Sequence, residues 1–406
     1  MNAALIPAGK SPALSPEPKV WIIGGADIDL RLGLVRKLQG FGYRMSVAGT
    51  GPASAFDEAG IPYFAYRLGN RVDLLSDWLG YRQLLRYLRQ HKPDVVHAFD
   101  TKPSIFGIAA GARAGVPARI RTITGLGYVF SSETVGAKWL RPLLSRMHRW
   151  AADRADCTTF YNAADRDYSL QHGMVRADRQ RLIPGSGIDY AAFRRQIPDP
   201  EQLARLRQEL GLDDRPVVIM IARLIPEKGV REFIAAARQL TEQKVAAQFL
   251  LVGPLEAASR GGISARELRA AAPTVWWIGP RSDIPALLAA SEICVLPTYY
   301  GEGLPRVLLE AGAAARAIVT TEIPACRELI THGVNGLLVP PRNITELAAA
   351  IRRLLENHAL RQHVADQFHD VVRQKFTLDR IAATWAQIYA QLLRKSCGVR
   401  AVPTAA

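Results

Sequence analysis

The sequence predicts an α/β protein of two Rossmann-like, doubly wound parallel-sheet domains that face each other across a cleft. Short apolar runs of strand length alternate with amphipathic helical stretches from Lys19 onward, which is the grammar of a parallel sheet covered by helices. That grammar pauses at RRQIPDPEQL and then restarts, and a length of 406 residues suits two full-sized cores better than one.

The elements follow in order. KVWIIGGADIDLRLGLVRKLQGFGYRMSVAG reads as a strand, a glycine-containing turn, an amphipathic helix and a second strand, a βαβ opening. DVVHAF, ARIRTIT and CTTFY are further strands, separated by helical stretches such as LLSDWLGYRQLLRYLRQH and SIFGIAAGARAG. After the Pro-Asp-Pro break, PVVIMIARL, AQFLLVG, TVWWIG and EICVLPT read as strands, and EFIAAARQLTEQ and DIPALLAAS as helices. The expected division is a flexible tail over 1–18, a first domain over 19–192, a linker over 193–214, a second domain over 215–376, a helix over 377–395 that crosses back to the first domain, and a tail over 396–406. Ligands of such sheets collect at the C-terminal strand edges, so the cleft is the expected site.

Composition bounds the partners. A hydrophobic fraction of 49% with 22% charged residues is that of a globular protein. The Pro-, Ala- and Ser-rich start lacks the continuous apolar core of a signal peptide, and no apolar run reaches the roughly 18–20 residues of a spanning helix. A cytoplasmic location is expected. Cys157, Cys294, Cys326 and Cys397 form no Cys-x-x-Cys pair, which argues against a zinc site or a disulfide framework and for a reducing compartment. The net charge of +15 asks for an anionic partner: nucleic acid, an acidic membrane surface or a phosphorylated substrate. A nicotinamide dehydrogenase is excluded because no Gly-x-Gly-x-x-Gly opens either half.

Two clusters carry chemistry. EGLPRVLLEAG sets Glu302 and Glu310 eight positions apart around an expected helix start at Gly303 and Leu304, whose amides and dipole would seat an anion. Eight helical residues rise about 12 Å, too far for two carboxylates to share one bond as glycosidase pairs do at about 5–9.5 Å. The spacing suits either two grips on an extended ligand or two solvated helix residues. In IARLIPEKGVREFI, Arg223 follows an apolar strand and Lys228 and Gly229 open the next helix, a placement that suits a diphosphate or two solvated loop charges.

Together, ARLIPEKG and EGLPRVLLEAG resemble the C-terminal half of family 4 glycosyltransferases, retaining enzymes of the GT-B fold. The resemblance implies that Arg223 and Lys228 hold the donor diphosphate with the amides of Gly303 and Leu304, that Glu310 holds the ribose, and that Glu302 contacts the donor sugar. The WIGPRSD segment, with Gly279 and Arg281, would border the nucleotide base. HAFDTKPSIFGIAAGARAGVP followed by RTITGLGYVF resembles the subset that elongates chains on polyprenyl diphosphate, as in capsule and O-antigen assembly. Many family members carry a histidine near position 124, where this sequence has Thr124, so a catalytic histidine is not carried over.

Asp29, Arg31, Asp100 and Lys102 occupy strand-to-helix turns of the first domain and are, with Thr124, the acceptor-side candidates; the alternative is plain loop charge. His97 reads as a sheet-packed histidine. Asp27-Ile28-Asp29 spells the Asp-x-Asp metal motif of another glycosyltransferase fold, but its place in the first turn favours helix capping, and no metal or other cofactor is expected. GAKWLRPLLSRMHRWAADRA mixes Trp and Leu with Lys and Arg, as a helix on an anionic membrane does and as a core helix with a basic outer face also does. The expected activity is transfer of a hexosyl or N-acetylhexosaminyl group from a nucleoside-diphosphate sugar to a glycan on polyprenyl diphosphate, at the cytoplasmic face of the inner membrane. The rivals are a sugar-nucleotide epimerase of the same fold, which needs cleft acids and bases not seen here, and a basic scaffold or nucleic-acid binder, which needs a basic stripe with interleaved aromatics.

Overall fold

The computed structural model describes residues 17–69, 73–131, 134–256, 262–301 and 303–396; the outer parts of the expected tails, Cys397 and Glu302 lie outside them. Two wholly parallel sheets form among the described residues. The first contains β1 (Lys19–Ile23), β2 (Arg44–Gly49), β3 (Tyr63–Ala65), β4 (Val95–Phe99), β5 (Ala118–Ile123), β6 (Cys157–Phe160) and β7 (Gln180–Leu182), in the order β3-β2-β1-β4-β5-β6-β7. The second contains β8 (Val217–Ile221), β9 (Gln248–Val252), β10 (Val275–Trp277), β11 (Ile293–Leu296), β12 (Ala317–Thr321) and β13 (Leu337–Val339), in the order β10-β9-β8-β11-β12-β13.

Continuous apolar runs such as VVIMI and QFLLV make these strands because helices cover both faces of each sheet, so no face needs polar residues. Each order reverses once, between β1 and β4 and between β8 and β11. A crevice opens at the carboxyl ends of strands on either side of such a reversal, so each domain has one topologically defined place for a ligand.

The stretch expected as a linker contains a helix, Pro200–Glu209, because Asp199 and Gln202 form a reciprocal capping box and Pro200 occupies the first turn. The chain passes between the domains twice, and the two passages are zipped together. Ile188 N–H donates to Phe376 O at 2.9 Å, and Leu378 N–H donates to Ile188 O at 2.8 Å. The final helix, Leu378–Ser396, then packs on the first domain: Ile381, Trp385 and Tyr389 share a core with Val20, Ile22, Val95 and Ile120. His97 is buried in β4 between Tyr389 Oη and Thr122 Oγ1, each at 2.7 Å, and burial pushes its pKa well down. It is a sheet-packed, neutral residue.

Candidate active site

On the second domain, Arg223 follows β8 and its Nη1 lies 3.0 Å from Glu256 Oε1, so a carboxylate orients a half-exposed guanidinium. The turn carrying Lys228 is locked to the loop after β11. Tyr299 N–H donates to Glu227 O at 2.9 Å and Thr298 Oγ1 donates to it at 3.2 Å. Gly229 has φ +81°, and a Cβ there would lie 2.1 Å from Pro297 O, so only glycine lets the two loops meet. Lys228 Nζ sits 5.8 Å from the Tyr300 ring centroid. Arg223 and Lys228 thus both stand at the reversal of the second sheet.

The helix expected to start at Gly303 begins at Arg306, with Pro305 as its N-cap. Pro305 has ψ 111°, an extended conformation, and so closes the preceding loop instead of opening the helix. Gly303 and Leu304 are therefore loop residues, and any anion held by their amides is held without the helix terminus directly behind it. Glu310, inside the helix, receives Arg306 Nε at 2.9 Å. Burial pushes its carboxyl up from the usual range and Arg306 partly offsets this. Gly279 has φ +77°, and its carbonyl accepts Gly253 N–H at 2.9 Å. Arg281 is committed on two sides, to Asp283 at 2.9 and 2.6 Å and to Glu209 at 3.6 Å, which leaves its planar face rather than its fork for a neighbour.

On the first domain, Arg31, Asp100 and Thr124 come together at the other reversal. Arg31 is buried; its Nη1 donates to Tyr161 Oη at 2.8 Å, its Nη2 lies 4.0 Å from Asp100 Oδ1, and its guanidinium stands 4.4 Å over the Phe99 ring. Thr124 Oγ1 donates to Asp100 Oδ1 at 2.6 Å. Burial pushes the Asp100 carboxyl up, and Arg31 pulls it back. Asp100 also has φ +67° and ψ 172°, a conformation that costs a non-glycine residue on the order of 1–3 kcal/mol and is concentrated at functional sites.

The other candidates stand apart from this group. Asp29 is exposed on the same turn as Arg31. Lys102 is turned to Asp77 at 2.7 Å and to Gly69 O at 2.9 Å, an ion pair between two helices of the first domain. Asp27 occupies the N-cap position but makes no side-chain capping bond, contrary to expectation, because its φ and ψ of −95° and 23° are not the extended geometry of a capping residue.

The two domains meet at Gly303. A Cβ there would stand 1.3 Å from Thr124 O and 3.3 Å from the Tyr161 ring, so the backbones of the two domains touch and only glycine fits. Gly303 O accepts from Asn162 Nδ2 at 3.1 Å, Leu304 packs on Gly185, and Glu328 Oε1 receives Ala163 N–H at 2.6 Å. Tyr161 and Asn162 were not singled out from the sequence. They follow β6, and the rule that ligands gather beyond strand ends, applied there as it was to Asp100, would have found them.

Two α/β domains set a cationic strand-end turn opposite a polar buried cluster, and comparison supplies the class. The family model described as "Glycosyl transferase 4-like domain" matches residues 30–185, and "Glycosyl transferases group 1" matches residues 215–357. The chain is 29% identical over 311 residues, 77% of its length and 80% of the relative's, to N,N'-diacetylbacillosaminyl-diphospho-undecaprenol alpha-1,3-N-acetylgalactosaminyltransferase of Campylobacter jejuni. It is 26% identical, over 77% of its length and 79% of the relative's, to UDP-Gal:alpha-D-GlcNAc-diphosphoundecaprenol alpha-1,3-galactosyltransferase of Escherichia coli. The fold superimposes with a TM-score of 0.75 on Anabaena HepE solved with UDP-glucose, at 21% identity over 92% of this chain and 99% of that one. The chain belongs to glycosyltransferase family 4 and has its GT-B fold. It is a glycosyltransferase.

Proposed function

We propose that the protein is a retaining transferase that moves a hexosyl or N-acetylhexosaminyl group from a nucleoside-diphosphate sugar to a glycan on polyprenyl diphosphate, in cell-surface polysaccharide synthesis. The observation that carries this reading is the meeting of the two domains at Gly303 and Thr124, with Arg223 and Lys228 on one side and Arg31 and Asp100 on the other. Relatives named for transfer to undecaprenol-diphosphate-linked sugars support the acceptor class.

In this reading Arg223 and Lys228 hold the donor diphosphate with the loop amides of Gly303 and Leu304. Glu310 accepts hydrogen bonds from the ribose hydroxyls, the face of Arg281 and the strand-end turn at Gly279 border the base, and the contact with the sugar falls to Glu302 by the family resemblance alone. Negative charge grows on the diphosphate as the glycosidic bond breaks, and cations fixed by Glu256 and by the loop after β11 meet it without reorganising. The acceptor hydroxyl attacks from the leaving-group face and passes its proton to a phosphate oxygen, so retention needs no protein nucleophile and no metal. Thr124 donates to Asp100 and replaces the histidine of many relatives with a hydroxyl and a backbone carbonyl.

A membrane-bound acceptor requires the cleft to reach a bilayer, and the first domain offers a surface for it. The helix Val135–Arg154 exposes Val135, Trp139, Leu140, Leu143 and Trp150 among Lys138, Arg141, Arg146 and Arg149, and buries Ala137, His148, Ala151 and Ala152. Trp139 is 81% exposed, a large apolar group that interfacial burial would stabilise. Leu75 and Trp78 are exposed near the start of Leu74–His91, in the same helical layer of the first domain. Among the described residues no helix is long and apolar enough to cross a membrane.

The test is a panel of UDP-, GDP- and dTDP-sugars, screened first for thermal stabilisation and then for transfer to an undecaprenyl-diphosphate-linked sugar. Stabilisation by one nucleotide series and transfer with the anomeric configuration kept are expected. Failure of every donor on both readouts would contradict the reading, and inversion would contradict its mechanism.

A further inference from the structure

The turn after β13 places an arginine where glycine is the ordinary residue. Pro340, Pro341, Arg342 and Asn343 form a reverse turn in which Asn343 N–H donates to Pro340 O at 3.4 Å. Proline at its second position followed by a positive φ at its third is the pattern whose third residue is glycine or asparagine, because a larger side chain is strained there. Arg342 holds that position with φ +60°. A backbone strained in this way persists where the side chain does something that glycine cannot.

Here the side chain clamps a ring. The Arg342 guanidinium stands 4.2 Å from the centroid of the Tyr299 ring, in the loop after β11, and a cation over an aromatic face is attracted by its quadrupole. Burial and the Glu232 carboxylate push the Tyr299 phenol up, and Arg342 pulls it part of the way back. The backbone of Tyr299 leads on to the active site. Its N–H and Thr298 Oγ1 both donate to Glu227 O, at 2.9 and 3.2 Å, and that carbonyl belongs to the peptide bond that enters Lys228. A displaced Tyr299 ring therefore shifts, through one amide, the backbone that carries Lys228.

We infer that Arg342 is a positioning residue for Lys228: stacked on Tyr299, it fixes the peptide bond between Glu227 and Lys228, and it acts on the donor diphosphate only through that lysine. The inference rests on the transferase reading for what Lys228 holds; the clamp itself is a matter of the turn, the ring and the amide.

Calorimetric titration of the full chain with UDP, GDP and dTDP tests it, for wild type, Arg342→Gly, Arg342→Asn, Lys228→Ala and the double variant Arg342→Gly/Lys228→Ala. Glycine accepts the positive φ without strain and asparagine tolerates it, so both Arg342 variants should keep the wild-type unfolding midpoint or exceed it. Their affinity for the nucleotide that the wild type binds should nevertheless fall about two- to fivefold, the fold-change that one exposed cation–π stack corresponds to. On top of Lys228→Ala, Arg342→Gly should add no further loss, because the residue through which it acts is gone. Wild-type affinity in either Arg342 variant would overturn the inference. So would a midpoint that falls together with affinity, which makes Arg342 a structural residue, or a loss that multiplies with that of Lys228→Ala, which makes its action independent of the lysine. In each of these results the wild type still binds nucleotide, so the transferase reading survives; a wild type that binds none of the three would overturn that reading and the inference with it.

Discussion

Glu310 shows how one residue's environment becomes a measurable property. Its carboxyl is pushed up by burial, and the ribose role requires the ionised form. Donor affinity should therefore weaken as pH falls through that raised value, above the ordinary glutamate range. Glu310→Gln should bind donor about 10–100-fold more weakly, the loss of charged hydrogen bonds, with the pH dependence gone; calorimetric titration at several pH values checks both, and an unchanged affinity counts against the ribose role. His97 and His148 make stability fall with pH as well. Burial holds both well below the usual histidine range, so the unfolded chain binds more protons than the fold once pH drops below about 6.5. Each then removes about 1.4 kcal/mol per pH unit until its own folded pKa is reached. Urea midpoints at pH 7 and pH 5 should show the loss. Arg223 and Lys228 were legible in the sequence because a strand end followed by a glycine-opened helix places them without any tertiary information. The Asn162 bond to Gly303 O was not, because the two residues lie 141 positions apart and share no spacing signature, although the end of β6 marks the position of Asn162 itself.

At the scale of elements, packing decides where propensity is silent. The helix of EGLPRVLLEAG was expected to start at Gly303 and Leu304, yet Pro305 stays extended and the loop ahead of it is pinned against Thr124, so the helix starts at Arg306. The strands YFA, QRL and LLV were missed because each is only three residues long, and AIVTT because it follows an alanine-rich helix without a break. The stretch LDRIAATWAQIYAQLLRK was legible as an amphipathic helix, and its apolar face is completed by the first domain. Trp385→Ala should cost about 3–5 kcal/mol in chemical unfolding, because it empties a fully buried site beside His97. Gly229→Ala should cost about 1–2 kcal/mol for its left-handed backbone, plus the clash with Pro297 O, and should weaken donor binding by displacing Lys228. Donor affinity unchanged in a folded Gly229→Ala protein would show that the turn does not position Lys228.

For the whole molecule, two parallel sheets with one reversal each leave one place where both domains can act on the same ligand, and the zipped passages at Ile188 and Phe376–Leu378 hold that place together. The net charge of +15 is not spread by that logic alone; its clearest concentration with exposed tryptophan is the helix Val135–Arg154. Co-sedimentation with phosphatidylglycerol vesicles should fall in Trp139→Ala/Leu143→Ala with nucleotide binding unchanged, and equal sedimentation would remove that helix from the membrane surface. The central claim is that Arg223 and Lys228 stabilise a departing nucleoside diphosphate. The most direct measurement is the transfer rate to an undecaprenyl-diphosphate-linked sugar, with the donor found by the panel, for wild type, Arg223→Ala and Lys228→Ala. Each charge-assisted contact contributes on the order of 1.5–3 kcal/mol, so each variant should lose about 10–100-fold or more in kcat/KM with its unfolding midpoint retained. Turnover equal to wild type in either variant would contradict the account.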